Sequence, residues 1–152
     1  MNNKLAMLYL FLFACLCIYI SILDIRSRQI TNFSVLSLLL LQCTLLIKSE
    51  VYLTSGFVVL LVGLFLFWRR WIGAGDIKFA SILALALPLS QLPIAAMLTG
   101  LAGGLVSLCY LALNYWFPNR KQRQVGIPYG VAISSGFGLV IVVYQVPQLI
   151  QA

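Results

Sequence analysis

Long apolar runs, separated by short polar and basic stretches, make up nearly the whole chain. Six of them read as membrane-crossing helices, at roughly 4–23, 32–48, 52–70, 76–90, 92–114 and 128–148. A crossing needs about 20 mostly apolar residues, and most of these runs come near that length. The fourth is the weakest. Pro88 and Pro93 flank its junction with the fifth, and proline lacks the amide and clashes with the preceding turn, so this helix is expected to be short or broken near Leu87-Pro88-Leu89. The first run continues past Cys15 to Leu23, beyond the 7–15 residues of a signal-peptide core, and reads as a retained helix.

The stretches between the runs set the orientation. Segment 24–32 carries Arg26 and Arg28, segment 69–78 carries Arg69, Arg70 and Lys78, and segment 115–127 carries Arg120, Lys121 and Arg123, while only Lys4 and Lys48 lie on the other side. Basic residues collect on the cytoplasmic side, which puts both termini outside the cytoplasm. Trp68, Trp71, Tyr115 and Trp116 flank the basic stretches, at headgroup level. The expected fold is therefore an all-α polytopic integral membrane protein of about six transmembrane helices, with residues 1–152 as a single transmembrane domain. Gly100 and Gly104 form a small-x-x-x-small pair, and Ser134, Ser135, Gly136 and Gly138 line the last helix, all expected to serve helix packing.

Composition sharpens this picture. Hydrophobic residues make up 62% of the 152 and charged residues 9%, against about 25% charged in a soluble domain. The formal charge of +7 belongs to the membrane-orienting stretches, so no nucleic-acid partner is expected; the basic loops suit a bilayer with anionic headgroups. Cys15, Cys17, Cys43 and Cys109 all fall inside apolar runs, with no C-x-x-C pair and no histidine anywhere. No metal and no other cofactor is expected.

The chemistry narrows to two residues. Asp24 ends the first run and Asp76 opens the fourth, and no other aspartate exists. Two crossings separate them, which returns the chain to the same membrane face, so the two can meet. Ionisable groups at membrane depth are costly and are functional candidates by default. Two close carboxyls share a proton: the ionised one can activate water and the protonated one can donate to the scissile carbonyl or the leaving amine. Without histidine, Ser–His and Cys–His catalysis are excluded. Each aspartate also has a plainer explanation. Asp24 could pair with Arg26 or Arg28, and Asp76 could serve as an acidic residue in the first turn of a helix. Gly73 and Gly75 are expected to supply backbone geometry closed to other residues and to allow close approach of a substrate chain. Lys78 either tunes the pair or snorkels to the headgroups.

Gly73-x-Gly75-Asp76-x-Lys78 resembles the G-x-G-D motif of the GxGD membrane aspartyl proteases. Nearly the whole chain is similar to the type IV prepilin peptidases, above all the short forms serving tight-adherence (Flp) pili. Asp24 followed by Ile30 and Asn32, and Gly126-Ile127-Pro128-Tyr129-Gly130 at the last helix, add to the likeness. Thr31 and Val131 stand where that family often has proline. The resemblance implies catalysis by Asp24 and Asp76, with Gly73, Gly75, Lys78, Pro128, Tyr129 and Gly130 supporting the motif or bordering the cleft. It implies prepilin and pseudopilin substrates, cut after a short basic leader in the bacterial cytoplasmic (inner) membrane. Larger relatives carry a cysteine-rich zinc-binding insert and methylate the new N-terminus; with neither insert nor cysteines, this chain is expected to cleave without methylating. A homodimer stays open. The rival classes are a small transporter, which would carry ionisable groups at the bilayer midplane, and a structural subunit of a membrane assembly, which needs no aspartate pair.

Overall fold

A computed structural model of the chain describes residues 3–27, 30–45, 51–116 and 128–151. Arg28, Lys48, Arg120, Lys121, Arg123, Gly126 and Ile127 lie outside the described residues. The described chain is all-helical: α1 (Asn3–Ser27), α2 (Asn32–Leu45), α3 (Leu53–Trp68), α4 (Ala74–Ala84), a one-turn 3-10 helix (Leu89–Gln91), α5 (Leu92–Trp116) and α6 (Tyr129–Gln151). Met7–Ser27 and Leu89–Leu113 are long and apolar enough to cross a membrane, whereas Asn32–Thr44, Leu53–Trp68 and Tyr129–Gln145 are shorter apolar helices.

The fourth element departs most from its expected span of 76–90. It starts at Ala74 and stops at Ala84, because Leu87 precedes Pro88 and a residue before proline is turned away from helical angles. The last turn tightens into i→i−3 bonds, from Leu85 to Ile82, Ala86 to Leu83 and Leu87 to Ala84. The carbonyls freed by this break find partners elsewhere. The Tyr52 amide donates to Leu85 O at 3.0 Å, and the buried Gln145 Nε2 donates to Ala86 O at 2.7 Å.

Short as it is, α4 lies inside the bundle. It packs on α2, α3 and α6, while α6 packs on α1, α4 and α5. Phe79, Leu83 and Leu87 are fully buried, together with Ile20 of α1, Leu38 of α2 and Ile141 of α6. Close approach between α3 and α4 depends on Gly63, where a Cβ would come within 2.5 Å of Ile77, the residue after Asp76. By contrast, α5 leaves Met97, Leu101, Leu105, Leu108 and Leu111 exposed; that much open apolar surface suits lipid rather than water.

The expected glycine pair of α5 is corrected. A Cβ at Gly100 or Gly104 would meet nothing within 4 Å. The close face is one residue over, on the stripe Ala95, Thr99, Gly103 at i, i+4 spacing. Gly136 of α6 lies directly on Thr99, and Gly103 faces Ala132 and Tyr129 at 3.6 Å.

Candidate active site

Asp24 lies in the last turn of α1 and is 6% exposed. Its Oδ2 accepts the backbone N–H of Gly130 at 2.7 Å. Gly130 is the second residue of α6, so the side chain of one helix closes a donor left open at the start of another. Only glycine permits this approach. A Cβ at position 130 would stand 2.8 Å from Asp24 Oδ2 and 3.0 Å from Asp24 Cβ. Gly130 is held from its carbonyl side as well: Ser134 Oγ donates to Gly130 O at 2.7 Å, and Ser21 Oγ of α1 donates to Ser134 Oγ at 2.9 Å. One carboxylate bond and one hydroxyl relay thus fix the start of α6 against the end of α1.

Asp76 is the third residue of α4, with Gly73 as N-cap in extended geometry at φ −74° and ψ 147°. Its carboxylate accepts the Gly73 backbone amide, the reciprocal half of a capping box. The expectation that Gly73 and Gly75 supply unusual backbone angles is not met, for no described glycine has positive φ. What they provide is space. A Cβ at Gly73 would come 3.1 Å from Asp76 Oδ2, and one at Gly75 would come 3.3 Å from Ile30 Cβ. The segment leading into α2 therefore lies against the first turn of α4. Lys78 Nζ donates to Asn32 Oδ1 at 3.3 Å, tying the same two helix starts at an exposed position, and Lys78 is not among the groups acting on Asp76. Pro128 is fully buried just before α6, whose first residue, Tyr129, is 41% exposed.

The starts of α4 and α6 thus converge on the end of α1. Asp76 sits at this mouth, outside both long apolar spans. Partial burial and the neighbouring Asp24 charge push its carboxyl up to about 6, against the lowering pull of the Gly73 amide. Asp24 and Asp76 are therefore within electrostatic reach of one another. Among the described residues no group of three or more His, Cys, Asp or Glu is placed to hold a metal.

The model of the type IV leader peptidase family matches residues 11–108 of the chain. The chain belongs to that family. No curated protein and no solved structure matches it. The matched stretch holds both aspartates and the whole of Gly73–Lys78, and it ends before α6. The Gly130 contact to Asp24 therefore lies beyond the stretch that the family match reaches. Nothing in the sequence marks Ser21, since a lone serine in an apolar run has no pattern of its own, and Ser134, expected only to serve packing, also holds the Gly130 carbonyl.

The raised carboxyl carries a stability prediction. A folded-state value above that of the unfolded chain stabilises the fold below the unfolded value, near 3.8, and that gain is lost as pH rises through about 6. Above that pH the charged Asp76 beside Asp24 is a cost, which solvent screening at a partly exposed group holds to about 1 kcal/mol. Asp76→Asn should therefore raise the melting temperature in detergent at pH 8 by roughly 2–4 °C, with the gain vanishing towards pH 4. An unchanged or lower melting temperature at pH 8 would contradict the electrostatic coupling of the two carboxyls.

Proposed function

We propose that this leader peptidase is a membrane aspartyl endopeptidase that removes the basic leader of prepilins and pseudopilins, with Asp24 and Asp76 activating the attacking water. The observation that carries the reading is that partial burial and the charge of Asp24, from α1, together raise the proton affinity of Asp76, from α4. In the reaction Asp24 takes a proton from water as the water oxygen attacks the scissile carbonyl carbon. Asp76 gives its proton to the carbonyl oxygen, forming a tetrahedral diol. Collapse of the diol returns a proton to Asp76, breaks the C–N bond, and passes the proton held by Asp24 to the leaving amine. The two side chains end as they began. The helix starts that frame the site place positive dipole ends beside these carboxyls.

In this reading residues 1–152 form one transmembrane unit of six crossings, with both termini outside the cytoplasm and the aspartates at the cytoplasmic rim of a bacterial inner membrane. Gly73, Gly75, Tyr129 and Gly130 border the cleft. A prepilin presents its cleavage site where an apolar helix begins, and backbone there is cheaper to unwind than in mid-helix. No methylation of the new N-terminus is expected.

Co-expression with a prepilin in cells lacking their own leader peptidase, followed by intact-mass analysis of the pilin, tests the reading. The mass should fall by that of the leader, with no added methyl group. A pilin that keeps its leader in the presence of folded, membrane-inserted protein sinks it.

A pH dependence follows as well. Because Asp76 must hold a proton to act as the acid, kcat/KM should decline on the alkaline side with an apparent value near 6. The value belongs to the pair as a unit. The limb in kcat should lie at higher pH, since bound substrate dries the site further. A kcat/KM that stays level from pH 5 to 8 would remove Asp76 from the acid role.

A further inference from the structure

The turn from α3 to α4 carries a feature that the cleavage reaction does not use. Helix α3 ends in a Schellman arrangement, in which the Arg70 amide donates to Phe67 O at 2.8 Å and the Trp71 amide to Leu66 O at 3.0 Å. The residue forced left-handed is Arg70, at φ 59°. Glycine is the easy occupant of that position, and a Cβ there is a strain. The Arg69 guanidinium lies 6.0 Å from the Phe65 ring centre and 5.8 Å from that of Trp71, so its charge is aimed by aromatic faces. Trp68 and Trp71 are 76% and 67% exposed, and both arginines are exposed.

The charge balance of this turn is one-sided. The negative end of α3 and the positive start of α4 meet here and offset each other, leaving two guanidinium groups. The described acidic side chains are Asp24, buried against α6, and Asp76, engaged by the Gly73 amide. A guanidinium fork matches a phosphate, and indole rings favour the headgroup level. A basic leader peptide would be repelled by the same charges.

We propose that Trp68, Arg69, Arg70 and Trp71 form a binding site for the phosphate headgroup of an anionic phospholipid. The site is joined to the candidate active site through Gly73, three residues beyond Arg70, and lies at the same end of the bundle. A headgroup held there restrains the turn that delivers Asp76.

Binding is read without any cleavage, so it stands or falls apart from the peptidase assignment. The full chain is reconstituted in nanodiscs of phosphatidylcholine with a minority of phosphatidylglycerol, and the lipids it retains are counted by native mass spectrometry. Two basic side chains at a membrane surface predict enrichment of phosphatidylglycerol on the order of tenfold or more. Amide exchange over residues 69–78 should slow when phosphatidylglycerol is present. R69Q/R70Q should abolish both effects. R70G separates ligand binding from architecture: it should melt higher in neutral detergent, because the left-handed position is eased, while losing part of the enrichment. Enrichment unchanged in R69Q/R70Q and R70G overturns the proposal. So does displacement of the lipid by excess inorganic phosphate, which would make this a site for the free anion.

Discussion

Asparagine at position 24 or 76 should lower leader cleavage by about 10^3-fold or more, and the double replacement should be hardly worse than either single one, as expected for groups that act as one unit. The choice of asparagine matters. Its side-chain oxygen can still accept the Gly130 amide at position 24, or the Gly73 amide at position 76, so each helix start keeps its cap. If the aspartates only cap helices, Asp24→Asn and Asp76→Asn should retain most of the activity. If they divide the work on a water molecule, activity should vanish while the melting curve survives. Cleavage of a prepilin peptide in detergent, with melting followed in parallel, distinguishes the two. Independent, multiplicative losses in the double variant would also count against a shared proton.

Gly130→Ala is the second severe change. The added methyl would sit 2.8 Å from Asp24 Oδ2 and 3.0 Å from its Cβ. The aspartate is on a packed helix and the glycine on another, so neither yields freely. Displacing one carboxyl by about 1 Å is enough to cost on the order of 10^2-fold in kcat. Gly75→Ala is the milder comparison, since its neighbour at 3.3 Å is an isoleucine side chain at the edge of a loop. Measured side by side, a Gly130→Ala enzyme as active as Gly75→Ala would show that the α6 start does not hold Asp24 in its working place.

The helices and the electrostatic coupling of the two aspartates were legible because both rest on one-dimensional signals. Apolar runs mark helices in any order of packing, and an even number of runs between Asp24 and Asp76 leads to the expectation that both lie at one end of the bundle. The G-x-G-D-x-K stretch is local and compact. What stayed hidden depends on partners distant in sequence. Gly130 lies 106 residues from Asp24, and nothing in its own neighbourhood shows that its missing side chain makes room for a carboxylate. The small-residue pair of α5 was placed at Gly100 and Gly104 by spacing alone. Spacing cannot say which side of a helix meets its neighbour, and the side carrying Thr99 and Gly103 does. Arg70 offered no hint of a left-handed turn, because the composition of a basic loop says nothing about its backbone angles.

The break after α4 has a consequence for how this protein tolerates change. Eleven residues of helix reach about 16 Å, so in the proposed six-crossing topology, with α4 starting at the rim, residues 85–88 fall near the middle of a hydrocarbon core roughly 30 Å thick. Bare peptide groups at that depth have no water to turn to. The glutamine at 145 acts as a plug for one of them, and leucine in its place, which any hydropathy scale would welcome in an apolar helix, leaves the Ala86 carbonyl stranded. Gln145→Leu should therefore make the chain greasier and less stable at once, because the side-chain donor to Ala86 O is lost, seen as a lower melting temperature in detergent.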